Sequence, residues 1–245
     1  MKLFDCNCSY GVGSRPPFRY ARSAAELLGE MDYGGIDQAL VYHTGQRFSS
    51  PLLYNRQLID DLPGYPRLLP SWTILPAQTE EQAAPANFLN AMKVHGVKAL
   101  RAFPEEHRYR LDSLTYGNLL TALAEKKVPL FVKANILVIA DLLKAFPQLT
   151  VVAMNQGPHS FERYLRPLVE TYPNFHVETS CYIVEGLIEA FCERYGAERL
   201  LFGTGFPDNC SGGALLRLLH AEINDANKQA IAFENLDRLL KDVIL

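Results

Sequence analysis

Short apolar runs alternate with longer segments of helical period from one end of the chain to the other. The runs fall at residues 3–7, 38–43, 67–73, 97–101, 129–133, 150–155, 175–179 and 200–204, and most are continuously apolar. Continuous rather than alternating hydrophobicity marks strands buried on both faces, as in a parallel sheet covered by helices.

The segments between them carry helix signals. Ser23-Ala24-Ala25-Glu26 reads as a capping box, whose hydroxyl and carboxylate satisfy orphan amides, and Gly34-Gly35 ends that helix. Thr79-Glu80-Glu81-Gln82 reads as a second box, opening a helix that runs to His95-Gly96. Asp112 starts the next, with Leu119, Leu120 and Leu123 as its apolar face. Further helices are expected after Asn135, near Ser160, Ile183 and Gly213, and over 233–243. Strand–helix alternation of this kind predicts an α/β fold with a parallel sheet, and eight units close into a (β/α)8 TIM barrel. The rival is an open doubly wound sheet, but no glycine-rich turn follows the first strand. No low-complexity linker divides the chain, so residues 1–245 are expected to form one barrel domain.

Composition narrows the class. At 245 residues, 48% hydrophobic and 21% charged, the chain suits one barrel with a sizeable core. A net charge of -3 and a pI near 6.1 supply no field for nucleic acid or an anionic membrane. The longest apolar stretches, such as 136–140, are too short to span a bilayer, and the N-terminus has no signal-peptide run. Five cysteines, an odd number, do not read as a disulfide framework. A reduced, cytoplasmic protein is expected.

Chemistry in such a barrel gathers at the C-terminal strand ends. These ends present Asp5-Cys6-Asn7-Cys8-Ser9, His43, Trp72-Thr73 and Arg101, then Lys133, Asn155-Gln156, Glu178-Thr179-Ser180 and Thr204-Gly205. The segment Gly96-Val97-Lys98-Ala99-Leu100-Arg101-Ala102-Phe103-Pro104 resembles the fourth strand of the amidohydrolase-related (amidohydrolase 2) family of metal-dependent hydrolases and decarboxylases. Val128-Pro129-Leu130-Phe131-Val132 is similar to that family's fifth strand, and Leu200-Leu201-Phe202-Gly203-Thr204-Gly205-Phe206-Pro207 to its eighth. Phe233-Glu234-Asn235-Leu236-Asp237-Arg238-Leu239-Leu240 resembles its final helix.

The resemblance implies a metal site opened by Asp-x-His-x-His, where this chain has Asp5-x-Asn7-x-Ser9. The family's histidines on strands five and six fall on Lys133 and Asn155, and its strand-eight aspartate falls on Gly205. Zinc and similar ions need imidazole, thiolate or carboxylate donors, which these five residues do not provide. No metal and no cofactor is therefore expected.

What remains is a candidate anion site. Arg101 and Lys133 end neighbouring strands, and two cations in one cleft suit a carboxylate or phosphate, unless Asp5 or Glu178 pairs with them. Asn7, Ser9, Asn155 and His159 complete the candidate ligand-binding set. Lys133 is also a candidate Schiff-base nucleophile, and His43 and His159 candidate general bases. Strand alternation sends Cys6 and Cys8 toward the helices, although Cys8 turned inward would be a thiolate nucleophile. Cys181 and Cys210 lie near other strand ends, and Tyr10, Arg15, Arg19 and Tyr20 crowd the loop after strand one.

Three functions stay open. The first is a barrel that has lost metal hydrolysis and binds a small anionic molecule. The second is a working hydrolase or decarboxylase using Lys133, Arg101, His43 and a cysteine without metal. The third is a structural or interaction protein. Neither nucleic acid nor a membrane is expected as a partner, and the resemblance implies a homodimer.

Overall fold

The computed structural model describes residues 1–13, 16–157 and 162–245. Its strands are β1 (Phe4–Tyr10), β2 (Gln38–His43), β3 (Leu68–Pro70), β4 (Trp72–Thr73), β5 (Leu100–Ala102), β6 (Leu130–Val132), β7 (Val151–Ala153), β8 (Phe175–Glu178) and β9 (Leu200–Leu201). Every pairing is parallel, in the orders β1-β2-β3 and β4-β5-β6-β7-β8-β9. Only Ser71 separates β3 from β4. Its N–H donates to the Val41 carbonyl at 2.9 Å, and that of Trp72 to the Ala99 carbonyl at 3.2 Å. Alternate amides thus serve opposite neighbours, so residues 68–73 are one stave. The ring closes where Cys6 N–H donates to the Phe202 carbonyl and Ser9 N–H to the Phe206 carbonyl, both at 2.9 Å. Every expected strand therefore contributes a stave of a (β/α)8 barrel.

The helix signals hold in part. Ser23 Oγ caps its helix through Glu26 N–H at 3.2 Å, Gly35 ends it in the left-handed region at φ 67, and Asp112 and Asn135 cap as expected. The second capping box does not form. Glu80 takes a left-handed φ of 62, Thr79 donates to Glu81 instead, and the helix starts only at Pro85. The helix expected from Ile183 starts at Leu187, and the one near Gly213 at Ser211. The start expected at Ser160 lies outside the described residues.

Two apolar shells follow. Phe4, Cys6, Leu40, Tyr42, Phe131, Val152 and Leu201 fill the barrel, with Leu236 and Leu240 of the last helix packed beneath. The outer shell, between strands and helices, includes Cys8, Val41, Leu130 and Val151. Cys6 packs inside the barrel with Phe4 rather than toward the helices, while Cys8, beyond a register shift between Asp5 and Cys8 on β1, lies in the outer shell as expected.

His176, at the buried start of β8, has its pKa pushed down to about 4 by burial; Asn174's carbonyl opposes this, while Arg199 and Arg238 add to it. The unfolded chain therefore binds more protons than the fold between about pH 6.5 and pH 4. This contribution is complete above about pH 6.5 and is lost as pH falls, about 3 kcal/mol across the window. Urea unfolding of His176→Gln beside the unchanged protein should show the variant losing less stability on acidification. An identical pH dependence in both would contradict a neutral imidazole in the core.

Candidate functional site at the barrel mouth

The floor of the mouth is a lattice of hydrogen bonds. Asn7 Nδ2 donates to Asn155 Oδ1 at 3.2 Å, joining the ends of β1 and β7. Asn155 sits at φ 53, a left-handed conformation that asparagine tolerates, and its N–H donates to the Glu178 carboxylate. Ser180 gives Glu178 two more bonds, from N–H at 2.9 Å and from Oγ at 2.7 Å. Asp5 accepts from Asn7 N–H at 2.9 Å, Thr204 N–H at 3.0 Å and the Thr204 hydroxyl. Burial pushes the pKa of both carboxyls up, and these hydrogen bonds pull the other way. Gly205 leaves no room at the end of β9's chain. A Cβ there would lie 2.5 Å from Asn209 Nδ2 and 3.0 Å from Ser180 Cβ.

Above the floor lies an ion network from the segments that follow four strands, β2, β5, β6 and β9. Glu106 Oε1 accepts from Lys133 Nζ at 2.7 Å and Arg47 Nε at 2.8 Å, and Arg47 Nη1 reaches Asp208 at 2.6 Å. Burial raises the Glu106 pKa, but hydrogen bonds from Lys133 and Arg47 outweigh it and hold it below the ordinary range. Burial likewise weakens the Arg47 charge, but Tyr42, Asp208 and Glu106 more than restore it. The side chains of Arg47 and Asp208 are 11% and 47% exposed, so the pair has one fixed member and one at the surface. Beside it is a small cavity of about 40 Å3 bordered by Ser9, Tyr42, Thr44 and Pro207.

The structure separates residues that strand ends alone group together. Arg101 is fully buried inside the barrel and does not face the mouth. Its Nε donates to Ser71 Oγ at 2.7 Å, and its Nη2 to the carbonyls of Cys6 at 2.8 Å and Leu40 at 2.9 Å. The guanidinium also lies 4.7 Å from the Tyr42 ring centre and 5.1 Å from that of Phe131. Lys133 does reach the mouth, but its partner is Glu106. His43 points outward: its ring stacks on Tyr54 at 4.4 Å, its Nδ1 accepts Gly45 N–H at 3.0 Å, and burial lowers its pKa. Ser9 is buried, its Oγ 3.3 Å from the Thr44 hydroxyl. His159 and Arg15 lie outside the described residues. Cys8 is buried in the outer shell, and burial pushes its thiol well up, as it does for Cys6. Arg47 and Glu106 were not legible as site residues, because they stand in one-turn helices, Gly45–Phe48 and Pro104–His107, a few positions beyond the ends of β2 and β5. Cys181 is half-buried beside Asn155, and its Sγ accepts from Asn209 Nδ2 at 3.4 Å.

The fold is a (β/α)8 barrel with polar groups at the C-terminal ends of its strands. The amidohydrolase family model matches residues 13–241, and the chain belongs to that family. No curated protein matches it. Among solved structures it is similar to a TIM-barrel protein from Bordetella bronchiseptica, with 18% identity, TM-score 0.74 and 99% of each chain covered. It is also similar to 5-carboxyvanillate decarboxylase from Sphingomonas paucimobilis, with 14% identity, TM-score 0.76 and 99% of each chain covered. A third is a dihydroxybenzoic acid decarboxylase from Polaromonas with bound manganese, at 14% identity and TM-score 0.75, covering 98% of this chain and 97% of that one. At these identities the likeness shows the fold. Among the described residues no helix is long and apolar enough to cross a membrane.

A divalent ion does not fit the described mouth residues. Among the described residues no three His, Cys, Asp or Glu side chains are grouped to hold one. The buried carboxylates Asp5 and Glu178 spend their oxygens on Thr204, Asn7, Ser180 and Asn155. The Lys133 ammonium has no lone pair to give. Arg101 reads as a brace, and Arg101→Met should lower unfolding stability in urea by about 3 kcal/mol, because the buried Cys6 and Leu40 carbonyls and the Ser71 hydroxyl lose their donor. A loss below about 1 kcal/mol would contradict the bracing role.

Proposed function

We propose that this chain is an amidohydrolase-family barrel that works without a divalent ion at its mouth and binds a small carboxylate-bearing ligand there. The observation that carries the reading is the Asn7–Asn155 bond at 3.2 Å. Two strand ends where the family resemblance puts histidines hold each other by their amides instead. The remaining recognition chemistry is cationic. Arg47 and Lys133 share one carboxylate, and the second partner of Arg47, Asp208, is the exposed member of its pair. A ligand carboxylate replaces Asp208 on the Arg47 guanidinium, which offers paired N–H donors to a planar anion. Names of similar proteins in this fold, 5-carboxyvanillate and dihydroxybenzoic acid decarboxylases, point to aromatic carboxylates as the probes to try first.

Calorimetric titration with 2,6-dihydroxybenzoate tests this. Arg47→Gln should weaken binding about tenfold or more, whereas Asp208→Asn should strengthen it, because the competing carboxylate is gone. No heat with the unchanged protein, or equal affinity in all three proteins, would overturn the reading.

A second reading, an enzyme with non-metal chemistry, is favoured by Cys181, whose sulfur faces the amide donors of Asn209 and Asn155. Iodoacetamide alkylation of Cys181 much faster than of the exposed Cys210 would support that reading, and equal rates would remove its basis.

A further inference from the structure

Tyr42 stands on the inner face of β2, one residue before the strand ends. Its ring is held by the Arg101 guanidinium, 4.7 Å from the ring centre, and by the Phe103 ring at 5.6 Å. With the ring fixed, the direction of the phenol C–O bond is fixed as well. The residue is 7% exposed, and it borders the small cavity beside Arg47 together with Ser9, Thr44 and Pro207.

The hydroxyls on this wall hand their protons on in sequence. Thr44 Oγ1 donates to the Tyr10 carbonyl at 2.9 Å and lies 3.3 Å from Ser9 Oγ. The Ser9 hydroxyl in turn supports the Tyr42 phenol oxygen. A phenol oxygen that accepts still has its own proton to donate. Burial pushes the Tyr42 pKa up, and Arg47 and Arg101 oppose this without cancelling it, so the phenol is a neutral donor at ordinary pH. Tyr42 and Arg47 each act on the other's charge, which puts the phenol beside the guanidinium that pairs with Asp208.

The cavity at this point measures about 40 Å3. A water needs roughly 10–15 Å3 of such space, so about three atoms of that size fit. That matches the carbon and two oxygens of a carboxylate, whereas a tetrahedral sulfonate or phosphonate brings one oxygen more. We propose that Tyr42 is the specificity-determining residue of the mouth: its O–H and the Arg47 guanidinium bind one ligand carboxylate, and the cavity beside them excludes tetrahedral anions. This rests on the reading that a ligand carboxylate replaces Asp208 on Arg47.

Titration of Tyr42→Phe with 2,6-dihydroxybenzoate tests it, because the phenyl ring keeps the packing on Arg101 and Phe103. Affinity should fall about tenfold, the worth of a hydrogen bond to a charged group. Ser9→Ala leaves the phenol in place without its support and should weaken binding about threefold, a second measure should Tyr42→Phe fold poorly. Against the unchanged protein, benzoate should displace 2,6-dihydroxybenzoate at least about tenfold better than benzenesulfonate, which carries the same charge. Tyr42→Phe should narrow that preference, whereas a purely structural loss would weaken both anions alike. Full affinity in Tyr42→Phe, or benzenesulfonate competing as well as benzoate, would overturn the proposal and leave the Arg47 reading standing. No binding of 2,6-dihydroxybenzoate to the unchanged protein would overturn both.

Discussion

Arg101 is the side chain around which the barrel interior is organised. From β5 it reaches the carbonyls of Cys6 on β1 and Leu40 on β2, the hydroxyl of Ser71 between β3 and β4, and the Met154 sulfur beyond β7. One guanidinium thus ties staves from both halves of the ring, with Tyr42 and Phe131 packed against its faces. Burial pulls its pKa down from the ordinary range, and its hydrogen bonds go to neutral acceptors. Removing a charge from water is expensive, so the interior must answer it. Here the answer is hydrogen bonding to the carbonyls of Cys6 and Leu40 and to Ser71, the two ring faces of Tyr42 and Phe131, and the charge of the buried Asp5.

That arrangement fixes what the mouth has to work with. With Asp5 held by Thr204 and Glu178 held by Ser180, the carboxylates beneath the mouth are turned to structural use. The amides of Asn7 and Asn155 close the floor over them, and Asn209 occupies the space beside Gly205. Charge reappears only one level higher, in the Lys133–Glu106–Arg47–Asp208 network. The family fold survives with a floor in which amides and hydroxyls take up the buried carboxyls and one another, which is the physical basis for proposing ligand recognition there without metal chemistry.

The staves were legible in the sequence because strands buried on both faces leave continuous apolar runs, as at 129–133 and 150–155. Caps at Ser23, Asp112 and Asn135 were legible because their chemistry is local. The box at Thr79 failed because Glu80 adopts a left-handed backbone, a choice made by the surrounding loop rather than by the four residues of the motif. The site was read less well for two reasons. Period-two alternation assigns a side chain to a face, but not to a depth: Arg101 does point inward, yet it sits below the floor rather than at the mouth. The residue pattern also says nothing of loops. Arg47 and Glu106 lie beyond the strand ends, and only the tertiary fold brings them to Lys133. On β1 the register shift between Asp5 and Cys8 puts Cys6 and Cys8, which plain alternation would place on one face, in different shells.

The proposed metal-free mouth is tested most directly by equilibrium dialysis against manganese or zinc, followed by elemental analysis of the protein. Because Asn7 and Asn155 bond to each other and the nearby carboxylates are already engaged, a substoichiometric metal content is predicted, unchanged in Asn155→Ala. One ion bound per chain, and lost in Asn155→Ala, would contradict it.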